Sequence, residues 1–179
     1  LKATDRATAL THQLLAFGRR QVLQPRVVDL NAVLNESREL LRQALRESID
    51  LQIETCDQPA PTLVDRSQMD QVLFNLLANA RDSMPNGGTL RIRTEVVDVD
   101  ADSSSIREAI EPGRWVCVTV SDTGFGIPHE ELLNIFEPFY TTRRSAGGTG
   151  LGLSTVYGIV KQSGGNISVR SIVGKGTSF

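Results

Sequence analysis

The sequence predicts an α+β domain, and three observations carry that prediction. Residues 28–45 and 65–84 repeat apolar side chains at the three- and four-residue spacing of amphipathic helices. Residues 89–99 alternate as a strand with one wet face, while the WVCVTV run from Trp115 reads as a buried strand, most simply its antiparallel neighbour. Glycine is then concentrated late in the chain: of 15, 11 lie between Gly124 and Gly176, where backbone freedom suits close approach to a ligand.

The bulk properties bound the reading. At 179 residues the chain supports one domain with a sizeable core and an appendage. A composition of 40% hydrophobic and 22% charged residues with net charge -2 is that of a soluble globular protein, and argues against nucleic-acid binding through a basic surface. No apolar run approaches the ~20 residues of a spanning helix and no signal peptide opens the chain, so no membrane contact and a cytoplasmic location are expected, with any anchor lying elsewhere in a parent protein. Cys56 and Cys117 lack a C-x-x-C partner and are expected to be reduced and buried. Leu1 starts inside a helical pattern and Phe179 ends inside a strand pattern, as expected of a piece of something longer.

The elements follow in order. Over residues 3–23, Ala7, Leu10, Leu14, Phe17 and Val22 recur at helical spacing, and Pro25 stops the pattern. Such a stripe needs a partner helix, supplied by another segment or another copy. His12 on it reads as an exposed or interface histidine; no acid follows it, which weakens a phosphate-acceptor reading. Asp29 is the N-cap expected for the helix over 28–45. Residues 49–55 alternate as a strand, CDQPAP turns, and 62–64 form a short strand before Asp65 caps the helix over 65–84. Pro85 and the NGG turn end that helix, and residues 98–112 read as a polar surface loop. After the Trp115 strand come a short helix over 130–136, a helix over 153–163, a strand over 166–171 and another beginning at Thr177.

Three constellations carry chemistry. Asp122 stands at a strand exit followed by Gly124 and Gly126. An unpaired buried carboxylate costs several kcal/mol or more, so it needs a donor: the exocyclic amine of adenine is one, and the local N–H of an Asx-turn is another. Asn75 and Asn79, four apart, project together from the 65–84 helix, with Asp82 extending the row. Buried amides left unsatisfied cost about 1–3 kcal/mol each, so a polar core network or a hydrated Mg²⁺ must meet them. Gly147, Gly148, Gly150 and Gly152 precede a helix whose bare N-terminal amides suit phosphate, although the run also fits a flexible linker. Arg143 and Arg144 just before it read either as phosphate donors or as solvated charges.

Taken together these residues carry a resemblance. N-x-x-x-N at Asn75 and Asn79, D-x-G-x-G at 122–126, F-x-P-F at 136–139, G-T-G-L-G-L at 148–153 and G-x-G-T at 174–177 stand in this order. They resemble the N, G1, F, G2 and G3 boxes of sensor histidine kinases, within the gyrase, chaperone, kinase and mismatch-repair ATPase superfamily. The match covers residues 29–179, and the first segment looks like the second helix of the family's dimerisation and phosphotransfer hairpin. The implied division is 1–25 for that helix and 26–179 for the catalytic domain, its last strand cut short. The implied fold is a two-layer α/β sandwich of the Bergerat type, helices on one face of a mixed, mostly antiparallel sheet.

The resemblance also implies roles, with ATP and Mg²⁺ as cofactors. Asp122 would accept the adenine amine, with Gly124, Gly126, Ile127 and Thr177 lining the base pocket. Asn79 would ligate Mg²⁺, and Asn75 would help hold metal, water and phosphate. Asp82 occupies the row where many relatives carry a lysine. Residues 139–150 would form the ATP lid, including Tyr140, Thr141, Thr142 and Arg143, the last at a position suited to the γ-phosphate. Gly148, Thr149, Gly150, Leu151, Gly152 and Leu153 would support the phosphates. Implied partners are an acceptor-histidine helix of the same or a sister protomer, a homodimeric parent, and a response regulator receiver domain. The acceptor motif itself, a histidine followed by an acid, is absent, so this chain would bind ATP without phosphorylating itself. Hydrolytic relatives usually carry glutamate where Asn75 stands; an ATP hydrolase and a nucleotide sensor are the competing readings.

Overall fold

A computed structural model describes residues 24–100, 110–142 and 148–179. The predicted helix over 3–23, with His12, and the residues Arg143, Arg144 and Gly147 lie outside them. The described chain runs β1 (Arg26–Asp29), α1 (Leu30–Ala44), β2 (Ile49–Glu54), β3 (Pro61–Val64), α2 (Arg66–Ser83), β4 (Gly88–Val99), β5 (Gly113–Asp122), α3 (His129–Leu132), α4 (Gly152–Gln162), β6 (Arg170–Ile172) and β7 (Gly176–Ser178). Five strands form one sheet in the order β2-β4-β5-β7-β6, parallel only between β2 and β4. β1 and β3 form a separate antiparallel pair.

Alternation along β4 explains the layering. Leu90, Ile92 and Thr94 are buried while Arg91, Arg93 and Glu95 are exposed, so one face of the sheet meets the helices and the other meets water. Leu34 and Leu41 of α1, Val72, Leu73 and Leu77 of α2, and Val156 and Ile159 of α4 share one core with the inward residues of β2, β4 and β5. The mixed, mostly antiparallel sheet with helices on one face is the architecture expected from the sequence.

Local chemistry sets the element ends. Asp29 Oδ1 accepts from Asn31 N (3.0 Å) and from Ala60 N (3.1 Å), capping α1 and tying it to β3. Asp65 Oδ1 accepts from Ser67 N and Gln68 N at the start of α2. Beyond Pro85 the chain turns through Gly87 at φ +89, where a Cβ would strike the carbonyl of Ser48; only glycine lets this turn lie against the start of β2.

Four expectations need correction. The helix over 28–45 begins only at Leu30, because residues 26–29 pair with β3 as a strand. The helix over 130–136 is only His129–Leu132, continued by turns. Of the strand over 166–171 only the end is formed, as Arg170–Ile172, with Arg170 opposite Ser178 of β7. Cys117 is exposed: it faces Glu95 on the wet side of β5, while Cys56 is partly buried, and both are free thiols.

Asn31 is a knot that sequence patterning did not reveal. Its Oδ1 accepts from Thr94 Oγ1 (2.6 Å), and its Nδ2 donates to the carbonyls of Cys56 (3.1 Å) and Gln58 (3.0 Å). Thr94 Oγ1 in turn accepts from Cys56 N at 3.0 Å. Replacing Asn31 with Ala strands the buried Thr94 hydroxyl, and denaturant unfolding should register a loss of about 1–3 kcal/mol.

Candidate functional site

The site is built along one edge of α2. Asn75, Asn79 and Ser83 are spaced at i, i+4, i+8 and so follow one line along the helix surface. At the C-terminal end of that line, Ser83 Oγ lies 3.1 Å from Asp122 Oδ1. Midway, Asn79 meets the first residue of α4: a Cβ on Gly152 would sit 4.0 Å from Asn79 Nδ2. One helix edge therefore joins the β5 carboxylate to the glycine-rich start of α4.

Asn79 Nδ2 is buried without a hydrogen-bond partner among the described residues. Such an orphan costs about 1–3 kcal/mol, which an acceptor arriving from outside the chain removes. Opposite it, α4 begins without a side-chain cap, and the first intrahelical bond runs from Thr155 N to Leu151 O (3.0 Å). The amides of Gly152, Leu153 and Ser154 thus precede the helical ladder and face an anion favourably. An anionic oxygen satisfies Asn79 Nδ2 in its present orientation; the amide flipped about its axis offers Oδ1 to a hard cation instead. The donor set fits a phosphate chain with Mg²⁺.

At the other end, Asp122 is partly buried where β5 leaves the sheet. Its Oδ1 accepts from Gly124 N at 2.8 Å. Burial pushes the Asp122 carboxyl above its ordinary value of 3.8, against the lowering effect of bonds from the Gly124 amide, the Ser83 hydroxyl and the Thr177 amide. Thr177, also buried, pairs with Asp122 across β5 and β7, and its Oγ1 lies 2.9 Å from Ser171 Oγ. Ser171 Oγ also accepts from Ile127 N at 2.7 Å. Sequence reading missed Ser171 and Ser83; the four-residue step from Asn79 was the available signal for Ser83.

The glycines here are demanded by the fold itself. A Cβ on Gly124 would collide with Ser83 and Asp122, and one on Gly126 (φ +74) with the carbonyl of Ile172. The Gly174 amide donates to Phe125 O at 2.8 Å, so the β6–β7 turn returns onto the loop after Asp122.

The phosphate side carries its own clasp. Phe139, at φ 67, donates its N–H to Gly150 O at 2.9 Å, and Gly150 (φ +68) has no room for a Cβ against the Phe139 backbone. Tyr140, Thr141 and Thr142 lead away from this clasp, and Gly148 and Thr149 return to it. Phe136 packs on Tyr157 (centroids 5.5 Å apart) and Phe179 (6.4 Å). Asp82 is partly exposed, with its Oδ1 3.3 Å from Arg81 Nε. Arg143 lies outside the described residues, as does Gly147. Among the described residues no helix is long and apolar enough to cross a membrane.

Comparison with known proteins gives concordant matches. The family described as histidine kinase-, DNA gyrase B-, and HSP90-like ATPase matches residues 64–179. Sensor kinase CckA of Brucella abortus is 48% identical over 176 residues, covering 98% of this chain and 18% of the relative. Sensor histidine kinase ZraS of Escherichia coli K12 is 35% identical over 179 residues, 99% of this chain and 35% of the relative. The chain thus spans well under half the length of these curated relatives. Among solved structures, the mycobacterial sensor histidine kinase MprB matches with TM-score 0.66 and 27% identity over 87% of this chain and 93% of its own. Full-length ShkA in complex with AMPPNP matches at TM-score 0.68 and 25% identity, over 88% of this chain and 30% of its own. Histidine kinase ThkA in complex with the response regulator TrrA reaches TM-score 0.71 at 25% identity, over 99% of this chain and 47% of its own.

The raised Asp122 carboxyl has a consequence for stability. A carboxyl that binds its proton more tightly folded than unfolded favours folding in acid, and that contribution is lost as pH rises through the raised value. Asp122→Asn should therefore raise the melting temperature of the nucleotide-free protein at neutral pH. The gain should shrink as the melts are repeated at progressively lower pH, where the native carboxyl takes up its proton before the unfolded one does.

Proposed function

The chain belongs to the histidine kinase-, DNA gyrase B- and HSP90-like ATPases, and on that premise we propose that it is the ATP-binding catalytic domain of a sensor histidine kinase. The observation that carries the proposal is the α2 edge, which links a recessed carboxylate at Ser83 to an unpartnered amide facing the uncapped start of α4. A purine at Asp122 and a triphosphate at Gly152 belong to one extended ligand lying along that edge. The strong sequence likeness to CckA and ZraS favours the kinase within the family.

In this reading Asp122 accepts the adenine amine, and Gly124, Gly126, Ile127 and Thr177 form the wall behind the base. Asn75 and Asn79 hold the phosphate chain from the helix side, with Asn79 the ligand to Mg²⁺ and Asp82 at the margin of the same row. Mg²⁺, when bound, neutralises phosphate charge and orients the γ-phosphoryl. The amides from Gly150 to Leu153, with Gly148 and Thr149, hold the phosphates from the α4 side. Tyr140, Thr141, Thr142 and Arg143 belong to the covering segment, and Arg143 is assigned to the γ-phosphate. The γ-phosphoryl passes in line to an imidazole nitrogen of a histidine on a separate helix. The P–O bond to ADP breaks as the N–P bond forms, and the chain contributes chiefly position and charge neutralisation.

Residues 1–25 are assigned to the second helix of the dimerisation hairpin and 26–179 to the catalytic domain. The parent protein is a homodimer that passes its phosphoryl group to a response regulator receiver domain, the kind of partner that ThkA has in its complex with TrrA. Asn75 cannot take a proton from water as a glutamate does, which separates this reading from an ATP hydrolase.

Labelled ATP mixed with this chain and a separately made acceptor hairpin should place label on histidine; free phosphate alone would indicate a hydrolase, and retained unreacted nucleotide a sensor. Asn79→Ala should abolish the Mg²⁺ dependence of ATP binding in titration calorimetry. Because Asn79 Nδ2 has no partner to lose, the same variant should melt no earlier than the wild type without nucleotide.

A further inference from the structure

Ser83 lies at the Asp122 end of the α2 edge, and none of the roles above is assigned to it. Its Oγ is 2.8 Å from Ala80 O, one turn back in its own helix, and 3.1 Å from Asp122 Oδ1. A hydroxyl has one proton, so it serves one of these acceptors at a time. With Asp122 ionised, the charge-assisted bond is the stronger and draws the proton to Oδ1. With Asp122 protonated, the local bond to Ala80 is the ordinary resting place of a helical serine. Gly124 seals the arrangement: its amide holds the same Oδ1 at 2.8 Å, and a Cβ there would strike Ser83.

We propose that Ser83 is a positioning residue for base recognition, its hydroxyl fixing Asp122 as a charged acceptor and so setting the preference for a 6-amino over a 6-oxo purine. The inference rests on the reading of Asp122 as the contact to the base. A charged carboxylate accepts from the exocyclic amine of adenine and repels the carbonyl oxygen at the same position of guanine. A carboxylate that turns freely or takes up a proton loses this distinction. The neighbours that fix it are Gly124 on the loop after β5, Ser83 on α2 and Thr177 on β7. Ser83 is the only one of the three that acts through a side chain, and so the one that substitution removes cleanly.

The test is the binding of ATP and of GTP, each with Mg²⁺, to the wild type, to Ser83→Ala and to Ser83→Cys. The cysteine variant keeps the volume and offers only a weak donor. ATP affinity should fall about tenfold in both variants, the worth of one hydrogen bond to a charged group. GTP affinity should hold or rise, so that the ATP-to-GTP ratio narrows by about the same factor. Equal losses for both nucleotides, or no change for either, would overturn the proposal by reducing Ser83 to a packing role. Should the alanine variant melt early, the cysteine variant carries the comparison. A wild type that binds ATP with an unchanged ratio in the variants defeats Ser83 alone; a wild type that binds neither nucleotide defeats the reading of the site with it.

Discussion

A carboxylate held partly out of water at the end of β5 is the constraint around which this structure is arranged. Asp122 can keep its place only with donors supplied from the loop after it, from α2 and from β7, and each demand shapes a different part of the fold. Gly124 must lack a side chain to let Ser83 close in, and Gly176 must lack one to pass the carbonyl of Asp122 itself. The β6–β7 turn, the last strand pair and the C-terminal half of α2 are thereby fixed relative to one another. Asn79, on that same helix, is set opposite Gly152 at the start of α4. Burial that outweighs three hydrogen bonds means that the ionised carboxyl is held at a cost to the folded chain.

Much of this was legible in the residues because the signals were local. Asp29 and Asp65 announce helix starts, Pro85 announces a stop, and the alternation of Leu90, Ile92 and Thr94 against Arg91, Arg93 and Glu95 declares which side of the sheet is covered. The Asn75 and Asn79 pair follows from helical spacing alone. Illegible parts depend on partners distant in sequence. β1 exists because β3 pairs with it, and Asn31 gains its meaning from Thr94 and Cys56. Cys117 was misjudged because apolar neighbours on both sides concealed that period-two alternation turns it outward.

The glycines changed their meaning between sequence and structure. A reading from the chain alone assigns Gly124 and Gly126 to ligand approach, whereas the atoms that a side chain would meet first belong to Ser83, Asp122 and Ile172. These positions let two turns and a helix close around the carboxylate. Asn79 likewise leaves its buried amide nitrogen without a partner among the described residues.

The hydrogen bond from Phe139 to Gly150 has an evolutionary corollary. Two backbone segments stitched at their bases define a cassette whose interior can vary in length at small entropic penalty, since loop closure grows only with the logarithm of residue number. The frame around it, Phe136 against Tyr157 and Phe179 on one side and the start of α4 on the other, is insulated from such changes. Diversification of the intervening peptide could thus proceed by insertion and deletion while the scaffold beneath stayed unaltered.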